Sequence, residues 1–110
     1  MKPDQIISLT EKYEEAFRRV GTRPKEIDRS ITPPGMQKAC EHAMWMLPKI
    51  REILQEGKHA KAERWFCFVQ SVMWQAGFFS INDMRDHNRT PEEEKPVSPN
   101  PDACSNILED

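Results

Sequence analysis

Three histidines, three cysteines and a scatter of glutamates are the groups in this 110-residue chain that could do chemistry. His42, His59 and His87 are widely spaced, and none has a second His or a Cys one helical turn away. Asp83 and His87 do stand one turn apart, a spacing that can orient an imidazole, but two ligands do not make a metal site. Cys67 is the obvious nucleophile. It lies among aromatics, however, where burial raises a thiol pKa and leaves it inert. Glu41, Glu52, Glu56 and Glu63 are too scattered for the clustered carboxylates with which all-α nucleotide pyrophosphatases hold magnesium. The expectation is a non-enzymatic protein with no catalytic residue, no metal and no cofactor.

Other groups suit binding. Gln70 sits inside an apolar segment, where a buried amide must find partners for up to four hydrogen bonds. It can bond a backbone carbonyl across a helix interface or read the polar edge of a ligand stacked on Trp74. Arg85, His87, Asn88 and Arg89 follow on a short polar segment, and with Gln70 and Trp74 they form the expected partner-binding set. Lys58, His59, Lys61 and Arg64 crowd the start of a helix, where the dipole disfavours cations. Free N–H groups beside cations make a candidate anion site for phosphate or a nucleic-acid backbone. A helix-turn-helix centred on Gly77 fits poorly, because Asp83 falls where that motif needs a buried aliphatic.

The elements that must carry these groups are helices. Between Trp65 and Phe79, eleven of fifteen residues are apolar, including six of the nine aromatics in the chain. A helix apolar almost all round must be covered on more than one side. Ile6, Leu9, Tyr13, Phe17 and Val20 predict a first helix over about Asp4 to Val20, with Asp4 as its cap and Gly21 at its end. Residues 21–33 read as a mixed-charge loop, in which Arg23, Lys25 and Arg29 are interrupted by Glu26 and Asp28. Thr32-Pro33 predicts the start of a second helix reaching Glu56, with a heptad seam of Met36, Cys40, Ala43, Leu47, Ile50 and Leu54. Pro48 predicts a kink or a break within it. A third helix, about His59 to Ala76, answers with Ala62, Trp65, Val69, Val72 and Ala76, and the short turn between the two forces an antiparallel pair. Ser80 with Asp83 forms an imperfect capping box for a short fourth helix, Ile81 and Met84 inward and residues 85–89 outward.

The fold class is therefore all-α: three main helices and a short fourth over residues 1–89, then an acidic, proline-rich tail over 90–110 expected to be disordered. Residues 1–89 hold 15 basic against 12 acidic side chains and residues 90–110 one against six, so a net +3 body carries a −5 tail. That is not the strong positive field of a dedicated DNA binder. An odd number of cysteines without CxxC spacing argues against a disulfide framework and for a reducing cytoplasm. Neither a signal peptide nor a membrane span is expected.

The stretches EHAMWM, EILQEGKHAKAERW and RWxxFVQSVMWxxGxxSINDMRDHNR resemble small proteins encoded by tailed bacteriophages and prophages. In those, a HALWM helix, an EGKxxKANRWLGFVQG helix and an IxxMRxxNR segment follow one another. The resemblance covers roughly Glu41 to Arg89. Here Glu63 stands for the family's Asn, Phe66-Cys67 for Leu-Gly and Ser71 for Gly. It brings no activity with it. It implies a setting, an accessory protein in an infected bacterial cytoplasm that acts on host processes or host defence. The aromatic surplus without catalytic groups adds the expectation that it binds a host protein, counter-defence being one version. The aromatic surplus on the third helix predicts a homodimer. A nucleic-acid or nucleotide binder using Lys58, Lys61, Arg64, Arg85 and Arg89 is the alternative.

Overall fold

In a computed structural model of the chain, which describes residues 1–89, those residues fold into four helices. The tail predicted over 90–110 lies outside the described residues. Helix α1 spans Pro3–Arg19, α2 Met36–Gln55, α3 His59–Gln75 and α4 Ile81–Asn88. No strand occurs among the described residues.

Helix α1 opens with Pro3 in its first turn, where the missing N–H costs nothing. Asp4 lies in that turn without capping, since Lys2 is the cap residue and no side chain bonds there. The buried face is Ile6, Thr10, Tyr13 and Phe17. Thr10 thus occupies a place the apolar pattern assigned to Leu9, and its hydroxyl is satisfied by donating to the Ile7 carbonyl (2.7 Å) and accepting from Arg51 (2.9 Å). Val20 falls beyond the helix and is 66% exposed.

One expectation for α2, its start, needs correction. The helix begins at Met36, not at Thr32-Pro33, because the chain bends at Pro34-Gly35 and Gly35 takes the cap position. It then runs unbroken through Pro48. Proline costs a helix one hydrogen bond and a steric adjustment, about 3 kcal/mol. The burial of Ala43, Met44, Leu47 and Ile50 on both sides of Pro48 offsets that cost and keeps the halves together.

The turn to α3 is three residues long, and Gly57 takes a φ of +82° that only glycine adopts freely. Helices α2 and α3 form the most extensive pair, and α1 lies against both. Cys40, Ala43, Leu47 and Ile50 are buried as the seam predicted, with Ala62, Val69 and Val72 facing them. The two ends of the seam are exceptions: Met36 is 38% exposed in the first turn, and Leu54 is only partly buried, with Ile53 buried beside it.

Most of the aromatic surplus is absorbed by α1. Tyr13 stacks on Phe66 with ring centroids 5.5 Å apart, and Phe78 meets the Phe17 ring edge-on at 5.0 Å. Arg51 of α2 binds Glu14 of α1 through both carboxylate oxygens, at 2.7 and 3.3 Å. The loop between α1 and α2 is strapped down as well: the Lys25 N–H donates to the Glu41 carbonyl (3.0 Å) and the Ile27 N–H to His42 Nδ1 (3.1 Å).

Candidate partner-binding surface

The expected partner-binding set divides into an inner and an outer group. Gln70 is fully buried and Asn88 is 2% exposed, so Asn88 points inward, against the expectation that residues 85–89 face out. The reason is reciprocal amide pairing. Gln70 Nε2 donates to Asn88 Oδ1 at 2.7 Å, and Asn88 Nδ2 donates back to Gln70 Oε1 at 3.2 Å. Gln70 Nε2 also donates to the Tyr13 hydroxyl at 3.0 Å.

His87 completes the network. Its Nε2 lies 3.3 Å from Lys12 Nζ and its Nδ1 lies 2.8 Å from the Tyr13 hydroxyl. An ammonium only donates, so Nε2 accepts and the neutral ring carries its proton on Nδ1. Nδ1–H then donates to Tyr13, whose own hydrogen is directed to Met84 Sδ at 3.8 Å. Burial, followed by the charge of Lys12, pushes the His87 pKa below the usual histidine value, against the pull of Asp83 and Asp86. Asp83 is held elsewhere, since its carboxylate accepts from the Ser80 N–H while its own N–H donates to Ser80 Oγ, both at 3.0 Å. The expected capping box is therefore complete. The Ser80 backbone N–H, with the Ser80 hydroxyl beside it, holds the Asp83 carboxyl below the usual carboxylate range.

Two more bonds fasten the end of α4 to α1: Gln5 Nε2 donates to the carbonyls of His87 (2.9 Å) and Arg89 (2.6 Å). Sequence reasoning missed Gln5, Lys12 and Tyr13 as partners of this segment. One available signal was the tyrosine in the apolar stripe of α1, because a buried phenol hydroxyl must find a partner.

The outer group is Trp74, Arg85 and Arg89. Trp74 is 42% exposed, Arg85 is half-buried, and Arg89 pairs with Asp86 at 3.0 Å. Phe68 joins Trp74 on the solvent side of α3 and is the more exposed of the two, at 53%. Between them lies Ser71, small and half-buried, accepting a bond from Gln75 Nε2 at 3.2 Å. Arg64 continues this surface one turn before Phe68.

Three of the four residues of the expected anion site are engaged with other groups. Lys58 pairs with Glu56 at 3.2 Å. His59 Nε2 lies 2.9 Å from the Met1 carbonyl and 3.5 Å from Glu63, which also meets the N-terminal ammonium at 3.4 Å. Lys61 Nζ sits over the Trp65 ring, 5.7 Å from its centroid. Arg64 is exposed on the outer surface instead.

A separate groove of about 230 Å³ opens under the strap, with Ile27, Ile31 and Pro34 among its walls. Lys38 Nζ approaches Glu41 Oε1 there at 3.4 Å, outside hydrogen-bonding geometry, and the oxygen is buried without a donor. Among the described residues, no three His, Cys, Asp or Glu side chains are grouped so as to hold a metal ion. No helix among them is long and apolar enough to cross a membrane. Comparison of the chain with protein-family models, with curated proteins and with solved structures finds no match.

Proposed function

We propose that this chain is a non-enzymatic accessory protein of phage origin that acts by binding protein, with the outer face of α3 and the adjoining edge of α4 as its docking surface. The observation that carries this reading is the exposure of Phe68 and Trp74 on the helix that also supplies the core. Large aromatics in a partly desolvated surface are the residues that anchor protein interfaces, and arginines such as Arg64, Arg85 and Arg89 commonly flank them. In the setting implied by the phage-like motifs, the target is a protein of the host bacterium and acts in its cytoplasm. Inhibition of a host nuclease system is one concrete version. The acidic stretch over 90–110, net −5, adds long-range attraction to a basic target.

The test is capture of host proteins by the full-length chain and by its Phe68→Glu and Trp74→Glu variants. A captured protein that both variants lose supports the reading; capture that neither variant alters overturns it. The alternative, binding of a nucleic-acid backbone by Lys58, Lys61, Arg64, Arg85 and Arg89, makes a different prediction. Its affinity falls steeply with salt, in proportion to the phosphates neutralised. The existing engagement of Lys58, Lys61 and Arg89 with neighbouring side chains favours the protein partner.

A further inference from the structure

We infer that the first occupant of the outer face of α3 is a second copy of this chain, whose α3 packs antiparallel to it about a twofold axis between Phe68 and Ser71. The inference rests on the reading of that face as a protein-docking surface and names the partner.

Arg64, Phe68, Ser71 and Gln75 advance in steps of four, three and four, a second stripe at heptad spacing on α3 that includes none of its buried residues. All four are exposed or half-buried in the single chain. A stripe becomes a self-interface only if it is complementary to itself when reversed, because a twofold interface sets residue i against j and j against i. Reversed about the proposed axis, Phe68 meets the partner's Ser71, a large side chain against a small one, twice over. Arg64 meets the partner's Gln75, with Trp74 beside it.

The charges fit the same register. Arg64 belongs to the cationic first half of α3, an arrangement that its own helix dipole disfavours. It makes no ion pair among the described residues. The antiparallel copy brings the negative end of another helix dipole and a tryptophan face toward that guanidinium, and both attract it. A parallel pairing would set cation against cation and leave Trp74 facing Trp74.

Sedimentation velocity on the full chain tests this, over about 1–200 µM so that mass action is visible. The expected result is a monomer–dimer equilibrium that Phe68→Glu weakens roughly thirtyfold or more. Arg64→Glu weakens it less. Neither change touches the buried core, and circular dichroism checks that the helices persist. Register is read separately by cross-linking: with Cys67→Ser and Cys104→Ser leaving the buried Cys40 as the remaining native thiol, Ser71→Cys should oxidise to a linked dimer and Glu15→Cys, on α1, should not.

A monomer at the highest concentration overturns the inference, as does a dimer indifferent to Phe68→Glu or a Ser71→Cys chain that fails to link. If the chain is monomeric and Phe68→Glu still abolishes capture of a host protein, the second copy is wrong and the docking surface stands. If the dimer forms as described and no host protein is captured, the second copy stands and the host-binding reading falls.

Discussion

Helix α3 and helix α4 are both packed onto α1, but by opposite means. Helix α3 meets α1 and α2 through apolar side chains, with Phe66, Val69, Val72 and Met73 almost wholly buried. Helix α4 has only eight residues, stands further off the other backbones, and buries just Met84 and Asn88. What secures it is a chain of hydrogen bonds from Gln70 through Asn88, Tyr13 and His87 to Lys12, with Gln5 holding its end. Apolar burial is broad and tolerant of small shifts. A buried polar network is directional, and each member left without its partner costs its full desolvation. The difference teaches that a short helix too small to be held by area can still be held by specificity.

The contrast predicts a graded series of effects. Phe66→Ala, which removes the ring stacked on Tyr13, should destabilise the fold by about 3–5 kcal/mol in chemical denaturation. Gln70→Leu should cost less, about 1–3 kcal/mol, because it strands the Asn88 amide and takes one donor from the Tyr13 hydroxyl while filling similar volume. Its signature should be local: faster amide exchange in α4 with α2 and α3 still protected. Uniform loss of protection would contradict the distinction between the two helices. Ser80→Ala should cost about 1 kcal/mol through loss of the cap, read again as exchange within α4.

Acid should act in the same sense. His87 is held neutral, with its folded pKa below the ordinary 6.5, so the unfolded chain binds the extra proton first. The stabilisation is complete above about pH 6.5 and declines as pH falls through that value toward the folded pKa. His42, lowered chiefly by burial, contributes with the same sign at the strap, where its Nδ1 must stay unprotonated to accept from Ile27. A His87→Gln variant whose α4 protection no longer varies between pH 7.5 and pH 5.5 would support this; unchanged sensitivity would refute it. Phe68→Ala should be the mildest of all, within about 0.5 kcal/mol in the isolated chain, since its ring is mostly in solvent.

The helical framework could be read from the chain because it depends on local signals. Seam spacing in α2 and α3, the turn at Gly57 and the Ser80–Asp83 cap each lie within a few residues of their effect. The start of α2 was misplaced because Thr32-Pro33 satisfies the capping pattern just before a second proline and a glycine carry the chain through a bend. The fate of Pro48 depends on how well its neighbours are buried, which spacing does not reveal. The polar network was hidden for another reason: Gln5, Lys12 and Tyr13 are separated from His87 and Arg89 by most of the chain, and no periodicity links them. The aromatic excess was visible in the composition, but only packing divides it into Phe66, Phe78 and Phe79 over α1 and Phe68 and Trp74 in solvent.

The fastening of α4 to Gln5 also bears on how the protein is made. Gln5 waits for acceptors 82 and 84 residues later in the chain. During synthesis α1, α2 and α3 can emerge from the ribosome and pack while the residues of α4 are still in the exit tunnel. Until they emerge, the Tyr13 hydroxyl and the Gln70 amide lack the partners that α4 brings. A nascent chain stalled just before Ile81 reaches solvent is therefore a three-helix intermediate with an open polar seam, the stage at which a chaperone would have something to hold.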